Sequence, residues 1–176
     1  MKYIIFLRGI NVGGRNIKMS ELSSCFEKAG FQNVLTVLQT GNVIVESNLR
    51  NAEKLRQQVE LLLTGTFHYP AKVLIVTPLQ LREIIQNYPF KNEDTDFHRY
   101  VIFTGAEAAK ELNYTADNLD STVEKMSMGK GVIYWRVRKG QTLDSSFGKQ
   151  ISKTGTKHVL TNRNLNTLEK ILKKCE

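Results

Sequence analysis

Between residues 2 and 76, strand-like and helix-like hydrophobic periods follow one another in the order β-α-β-β-α-β, and this order restricts the fold more than any single motif does. Tyr3-Ile4-Ile5-Phe6-Leu7 is an apolar strand run. Met19, Leu22, Phe26 and Ala29 then recur at helical spacing, and Gly30 supplies the stop. Val34 to Leu38 and Asn42 to Ser47 are short strand runs about Gln39-Thr40-Gly41 and read as a hairpin. Leu55, Val59, Leu62 and Leu63 mark one face of a second helix, with Gly65 near its end, and Ala71 to Val76 form a fourth strand. Such an order predicts a ferredoxin-like unit, in which two helices cover one face of a four-stranded antiparallel sheet.

The second half repeats the rhythm less regularly. Thr77-Pro78 opens a helix with a capping threonine and a proline in its first turn, carrying Leu81, Ile84 and Ile85 inward. Asn92-Glu93-Asp94-Thr95-Asp96 reads as an exposed acidic connection before a strand at Tyr100 to Phe103. A helix from Ala106 to Leu112 precedes a hairpin made by Ser121 to Met126 and Val132 to Arg138, turning at Gly129-Lys130-Gly131. In its last strand Ile133, Trp135 and Val137 alternate with Tyr134, Arg136 and Arg138, which predicts one wetter face. A final helix buries Leu165, Leu168 and Leu172, and Lys170, Lys173 and Lys174 complement its negative end. The expectation is an α+β chain of two ferredoxin-like repeats with mostly antiparallel sheets and helices on one face. The first repeat spans residues 1–77, a linking helix and acidic connection 78–97, and the second repeat with its basic C-terminal helix 98–176.

With 41% hydrophobic and 24% charged residues in 176, the chain has the composition of a globular protein. No apolar run approaches the roughly 20 residues that span a bilayer, and Lys2 precedes only a strand-like run rather than a secretory signal. A soluble, cytoplasmic protein with no membrane partner is expected. Cys25 and Cys175 give no disulfide framework, and His68, His98 and His158 have no ligand spacing, so no metal site is expected. The net charge of +8 is unevenly spread: residues 89–124 hold three basic and eight acidic side chains, residues 125–176 twelve basic and three acidic. A basic tract of this kind suits nucleic acid or an acidic partner. Equally, it suits a solvated face paired with the chain's own acidic stretch.

Leu7-Arg8-Gly9-Ile10-Asn11-Val12-Gly13-Gly14-Arg15-Asn16 packs three glycines, two arginines and two asparagines into ten residues after the first strand. Glycine permits positive φ and close backbone approach, and successive N–H groups in such a turn form an anion nest. Tight strand-to-helix turns also need glycine for geometry alone. Neither the GxGxxG spacing nor a Walker lysine is present. Arg8 and Arg15 are placed to pair with an oxyanion, and the polar turn Gln39-Thr40-Gly41-Asn42 is a second contributor unless it serves only the hairpin. Ile5-Phe6-Leu7-Arg8-Gly9-Ile10 fits loosely the first ribonucleoprotein motif of RNA-recognition domains, but the strand Asn42 to Glu46 has no aromatic to stack a second base. Lys149, Lys153, Lys157, His158 and Arg163 make a third, threonine-rich basic cluster before the last helix, where Thr161 or Asn164 serves as its cap. No GxSxG elbow, HExxH or paired-carboxylate arrangement appears, so no catalytic residue, reaction or cofactor is assigned.

With Leu7-Arg8-Gly9-Ile10-Asn11-Val12-Gly13-Gly14 and Leu38-Gln39-Thr40-Gly41-Asn42-Val43 together, and Thr161-Asn162-Arg163-Asn164-Leu165-Asn166-Thr167 near the C-terminus, the chain resembles the bacterial family catalogued as domain of unknown function 1697. That family's Arg-Asn-aromatic-x-Thr ending carries Leu165 here in place of the aromatic. The resemblance implies two ferredoxin-like repeats and no particular reaction. The expected ligand site comprises Arg8, Gly9, Asn11, Gly13, Gly14, Arg15, Gln39, Gly41, Asn42 and Arg163. Its partner is expected to be a phosphate-bearing small molecule or nucleic acid, the alternatives being a small-molecule enzyme using the same pocket and an interaction module without a ligand.

Overall fold

A computed structural model describes residues 1–10, 16–90, 95–113 and 119–176. Within them the chain divides into two compact units, one made of Met1–Leu81 with Ile171–Glu176, the other of Arg82–Lys170. The first unit runs β1 (Lys2–Arg8), α1 (Met19–Lys28), β2 (Gln32–Val37), β3 (Asn42–Glu46), α2 (Ala52–Phe67) and β4 (Lys72–Val76), with α3 (Pro78–Gln86) following. The second runs β5 (Phe97–Thr104), α4 (Ala106–Asn113), β6 (Glu124–Gly129), β7 (Val132–Arg138), α5 (Ser146–Thr154) and β8 (Leu160–Asn164), with α6 (Leu165–Cys175) following. The sheets are four-stranded, ordered β2-β3-β1-β4 and β6-β7-β5-β8. All their pairings are antiparallel, so the same ferredoxin-like topology occurs twice.

In the first unit the odd-numbered side chains of β1, Tyr3, Ile5 and Leu7, form one core with Val43, Val45, Val73 and the inner faces of α1 (Leu22, Cys25, Phe26) and α2 (Leu55, Val59, Leu63). The intervening Ile4 and Phe6, with Ile44 beside them, are buried as well. That is why β1 reads as an unbroken apolar run and not as an alternation. Local chemistry sets the helix ends. The Asn51 side chain accepts the Lys54 amide at 2.9 Å to cap α2, which passes through Gly65 to Phe67 and ends at His68 in the left-handed region, φ 54°. Thr77 and Gln80 form a reciprocal box at α3: the Gln80 amide donates to Thr77 Oγ1 at 3.2 Å and the Thr77 amide to Gln80 Oε1 at 2.8 Å.

In the second unit Ile102, Ile133, Trp135 and Val137 pack with Ala108, Leu112, Phe147 and Leu160. The expected wetter face of β7 is not found, because Tyr134 and Arg136 are only 5% and 4% exposed and the strand stays buried up to Arg138. Tyr88 covers this face: its ring stands edge-on to Tyr134 at 5.5 Å and its hydroxyl donates to the Trp135 carbonyl at 3.0 Å. Arg136 is accommodated by donating to the Ser121 carbonyl at 2.9 Å and lying 3.9 Å over the Phe97 ring.

The threonine-rich basic segment expected before the last helix instead contains α5 and β8. Helix α5 is inconspicuous because its buried stripe is little more than Phe147 with half-buried Ile151. Strand β8 has the polar sequence Leu-Thr-Asn-Arg-Asn and is held by its pairing with β5, from Tyr100↔Asn164 to Thr104↔Leu160. Asn164 then caps α6, its Oδ1 accepting the Asn166 amide at 2.9 Å.

Candidate functional site

Where β1 ends, two sequence motifs meet. The Leu7 amide donates to the Gly41 carbonyl at 2.8 Å, tying β1 to the β2–β3 turn. Gly41 has φ 71°, and a Cβ there would stand 2.6 Å from Ile10 Cγ2 and 3.0 Å from Leu7 Cβ, so both its conformation and its surroundings require glycine. Leu38, at φ 59°, and Gly9, at φ 65°, also lie in the left-handed region, bending the chain sharply on either side of this contact. Asn42 is fully buried and spends both amide hydrogens on the turn, donating to the Val37 carbonyl and to Thr40 Oγ1, each at 2.8 Å. Asn42 therefore shapes the turn that presents the exposed Gln39 and Thr40.

Arg8 is half-buried at the last position of β1 and stands directly opposite Lys72 of β4. Two cations in one cross-strand pair repel each other. Glu60 meets one of them, with its carboxylate 3.2 Å from the Lys72 ammonium; the same carboxylate lies 3.0 Å from Arg56 and accepts the Val73 amide at 3.2 Å. The first unit thus brings together Arg8, Gly9, Gln39, Gly41 and Asn42 at one end of its sheet. Asn11, Gly13, Gly14 and Arg15 lie outside the described residues.

Arg163 belongs to the second unit, on β8 opposite Val101. Its guanidinium donates to Thr161 Oγ1 at 2.8 Å and to the Asn162 carbonyl at 2.9 Å, and burial pulls its pKa down to about 10. Part of the basic C-terminal third is matched by the chain's own acidic stretch. Glu111 of α4 accepts from Thr154 Oγ1 at 2.9 Å, lies 3.9 Å from the Lys157 ammonium and 3.3 Å from His158 Nε2. The Thr154 hydrogen bond, joined by the Lys157 and His158 charges against an opposing desolvation, holds its carboxyl below the usual value. Nothing in sequence spacing marks Glu111, since its partners lie more than 40 residues away. Among the described residues no group of three or more His, Cys, Asp or Glu side chains is arranged to hold a metal ion.

A sequence model of the family described as "Protein of unknown function (DUF1697)" matches residues 1–134. The chain belongs to the DUF1697 family. This DUF1697 protein is similar in structure to the conserved bacterial protein SP0830 from Streptococcus pneumoniae, with a TM-score of 0.80 over 99% of this chain and 98% of that one, at 20% identity. At that identity the likeness establishes a shared fold. No curated protein matches the DUF1697 chain. Among its described residues no helix is long and apolar enough to cross a membrane.

Proposed function

We propose that the protein binds a phosphate-bearing small molecule at the end of the first sheet, where β1 runs out against the β2–β3 turn. The observation that supports this most is the packing of Ile10 and Leu7 on Gly41, which unites the Arg8-Gly9 and Gln39-Thr40 segments at one end of the sheet. Arg8 supplies a charge suited to bidentate contact with an oxyanion, opposite a second cation, Lys72, on β4. Gln39 supplies an exposed amide.

Thermal unfolding against nucleotides, sugar phosphates, carboxylates and short oligonucleotides tests this reading. A ligand at 100 times its dissociation constant adds about 2.7 kcal/mol of stability. The Arg8→Ala/Gln39→Ala variant, folded by circular dichroism, should lose that gain. An equal gain in the variant, or no gain from any phosphate compound in the wild type, refutes the proposal. Binding of oligonucleotides with a steep salt dependence would replace the small molecule with a nucleic-acid backbone. A second reading, an interaction surface, is favoured by Leu35 and Leu38, which are 39% and 47% exposed on and just beyond the edge strand β2. It predicts a mass in solution that rises with concentration.

A further inference from the structure

In the second unit, the start of β5, the residue after β7 and the junction of β8 with α6 border a cleft of about 350 Å3, lined among others by His98, Arg99, Lys139, Asn164 and Asn166. Two of these side chains carry fixed positive charge. Neither has a carboxylate within ion-pair distance among the described residues, and the Arg99 guanidinium is held in place by donating to Asn166 Oδ1 at 2.8 Å. The hydrogen-bonding capacity left over is weighted toward donors. Asn166 Oδ1 is taken by Arg99, and Asn164 Oδ1 is taken by the Asn166 amide at 2.9 Å. Beside the second lone pair of each of those oxygens and the polar groups of His98 and Thr95, what remains is the amide NH2 of each asparagine, the Lys139 ammonium and the rest of the Arg99 fork, all donors. Among the described residues no acceptor meets the Lys139 ammonium or those two amide groups.

A cleft lined by two cationic side chains and two asparagine amides, with no carboxylate in its lining, is complementary to an anion with several acceptor oxygens and poorly complementary to a cationic molecule. We infer that this cleft binds a phosphate monoester, with the phosphate oxygens between Arg99 and Lys139 and the asparagine amides donating to the phosphate or to the adjoining ester and hydroxyl oxygens. Its volume lies within the roughly 300–1,000 Å3 typical of small-molecule sites, which leaves room for an organic group beside the phosphate. The first turn of α6 borders the cleft and adds potential of the same sign, although the donor set is what selects the ligand. The site uses none of the residues proposed at the end of β1, so either can fail without the other.

Two-dimensional 1H–15N spectra of the full chain, titrated separately with ribose 5-phosphate and with inorganic phosphate at constant ionic strength, provide the test. The sugar phosphate should give saturable shifts at the amides of Arg99, Lys139 and Asn166 and at the side-chain amides of Asn164 and Asn166. The affinity read from the shifts at these positions should fall at least about tenfold in Arg99→Gln/Lys139→Gln, the loss expected from removing charge-assisted hydrogen bonds. Absence of saturable shifts at these positions, or an unchanged affinity in the double variant, overturns the assignment. Should the double variant fail to fold, Asn166→Asp replaces it: a carboxylate in the first turn of α6 favours the helix while repelling phosphate, and undiminished binding there is equally fatal. Inorganic phosphate binding as tightly as the sugar phosphate overturns the monoester specificity.

Discussion

Replacing Gly41 by alanine tests the joint between the two motifs, and Gly30 provides an internal control. Both glycines have positive φ, 71° and 87°, but a Cβ at Gly30 meets nothing within 4 Å, whereas at Gly41 it meets Ile10 Cγ2 at 2.6 Å and Leu7 Cβ at 3.0 Å. Left-handed backbone costs an L-residue about 1–2 kcal/mol, and alanine recovers about 0.4–1 kcal/mol by restricting the unfolded chain. Gly30→Ala should therefore destabilise by roughly 1 kcal/mol. At Gly41 the overlap is about 1 Å against an ordinary carbon contact of about 3.5–4.0 Å, and the atoms involved are a branched methyl and a Cβ that cannot swing aside. Overpacking of this kind costs about 1–3 kcal/mol, giving a total of about 2–4 kcal/mol for Gly41→Ala. At about 2–4 °C per kcal/mol for a chain of this size, the two midpoints should separate by several degrees. Thermal unfolding followed by circular dichroism gives these midpoints, and urea unfolding gives the free energies of both variants. If Gly41→Ala falls within about 0.5 kcal/mol of Gly30→Ala, the scatter of an ordinary surface substitution, the claim that Ile10 and Leu7 close on this turn is wrong.

Glu124 is 1% exposed and accepts from Trp135 Nε1 at 3.1 Å and from the Phe147 amide at 3.0 Å. Glu124→Ala leaves two buried donors unmet at about 1–3 kcal/mol each, and Glu124→Gln should lose less because it keeps one acceptor; urea unfolding monitored by emission of the single tryptophan separates them. Glu111 has a folded-state pKa below its ordinary 4.5, so its contribution to stability is present above that value and is lost as pH falls through the lowered one. Glu111→Gln should accordingly be less stable than the wild type near neutrality, with the gap shrinking in acid; a gap independent of pH refutes the linkage.

The first repeat was legible because its helices bury periodic apolar stripes, Leu22 with Phe26 on α1 and Leu55, Val59 and Leu63 on α2, and its strand β1 is an unbroken apolar run. The second repeat was less so. β8 depends on hydrogen bonds to β5, a pairing invisible in a sequence as polar as Thr161-Asn162-Arg163-Asn164. α5 has too few apolar residues to show its period. The alternation in β7 suggested a wetter face, yet a tyrosine from 46 residues upstream covers it. As for the β1 site, Gly41 and Asn42 could be read from sequence as turn residues, but the placement of Ile10 over Gly41 is a tertiary contact. The cleft at Arg99 was not legible, because Arg99, Lys139 and Asn166 come from three distant segments.

The first unit takes in Ile171–Glu176 as well as Met1–Leu81, and the Lys2 ammonium donates to the Cys175 carbonyl at 2.7 Å. On the ribosome this has a temporal consequence. Strand β4 allows the first sheet to form once residue 76 has left the exit tunnel, but the last turn of α6 reaches its place only after the whole second unit has been synthesised. The N-terminal half therefore waits, sheet formed but unit incomplete, for about ninety more residues, which at roughly 5–20 residues per second is an interval of about 5–20 seconds. During that interval it is exposed to chaperones and proteases in a form that the finished protein does not present.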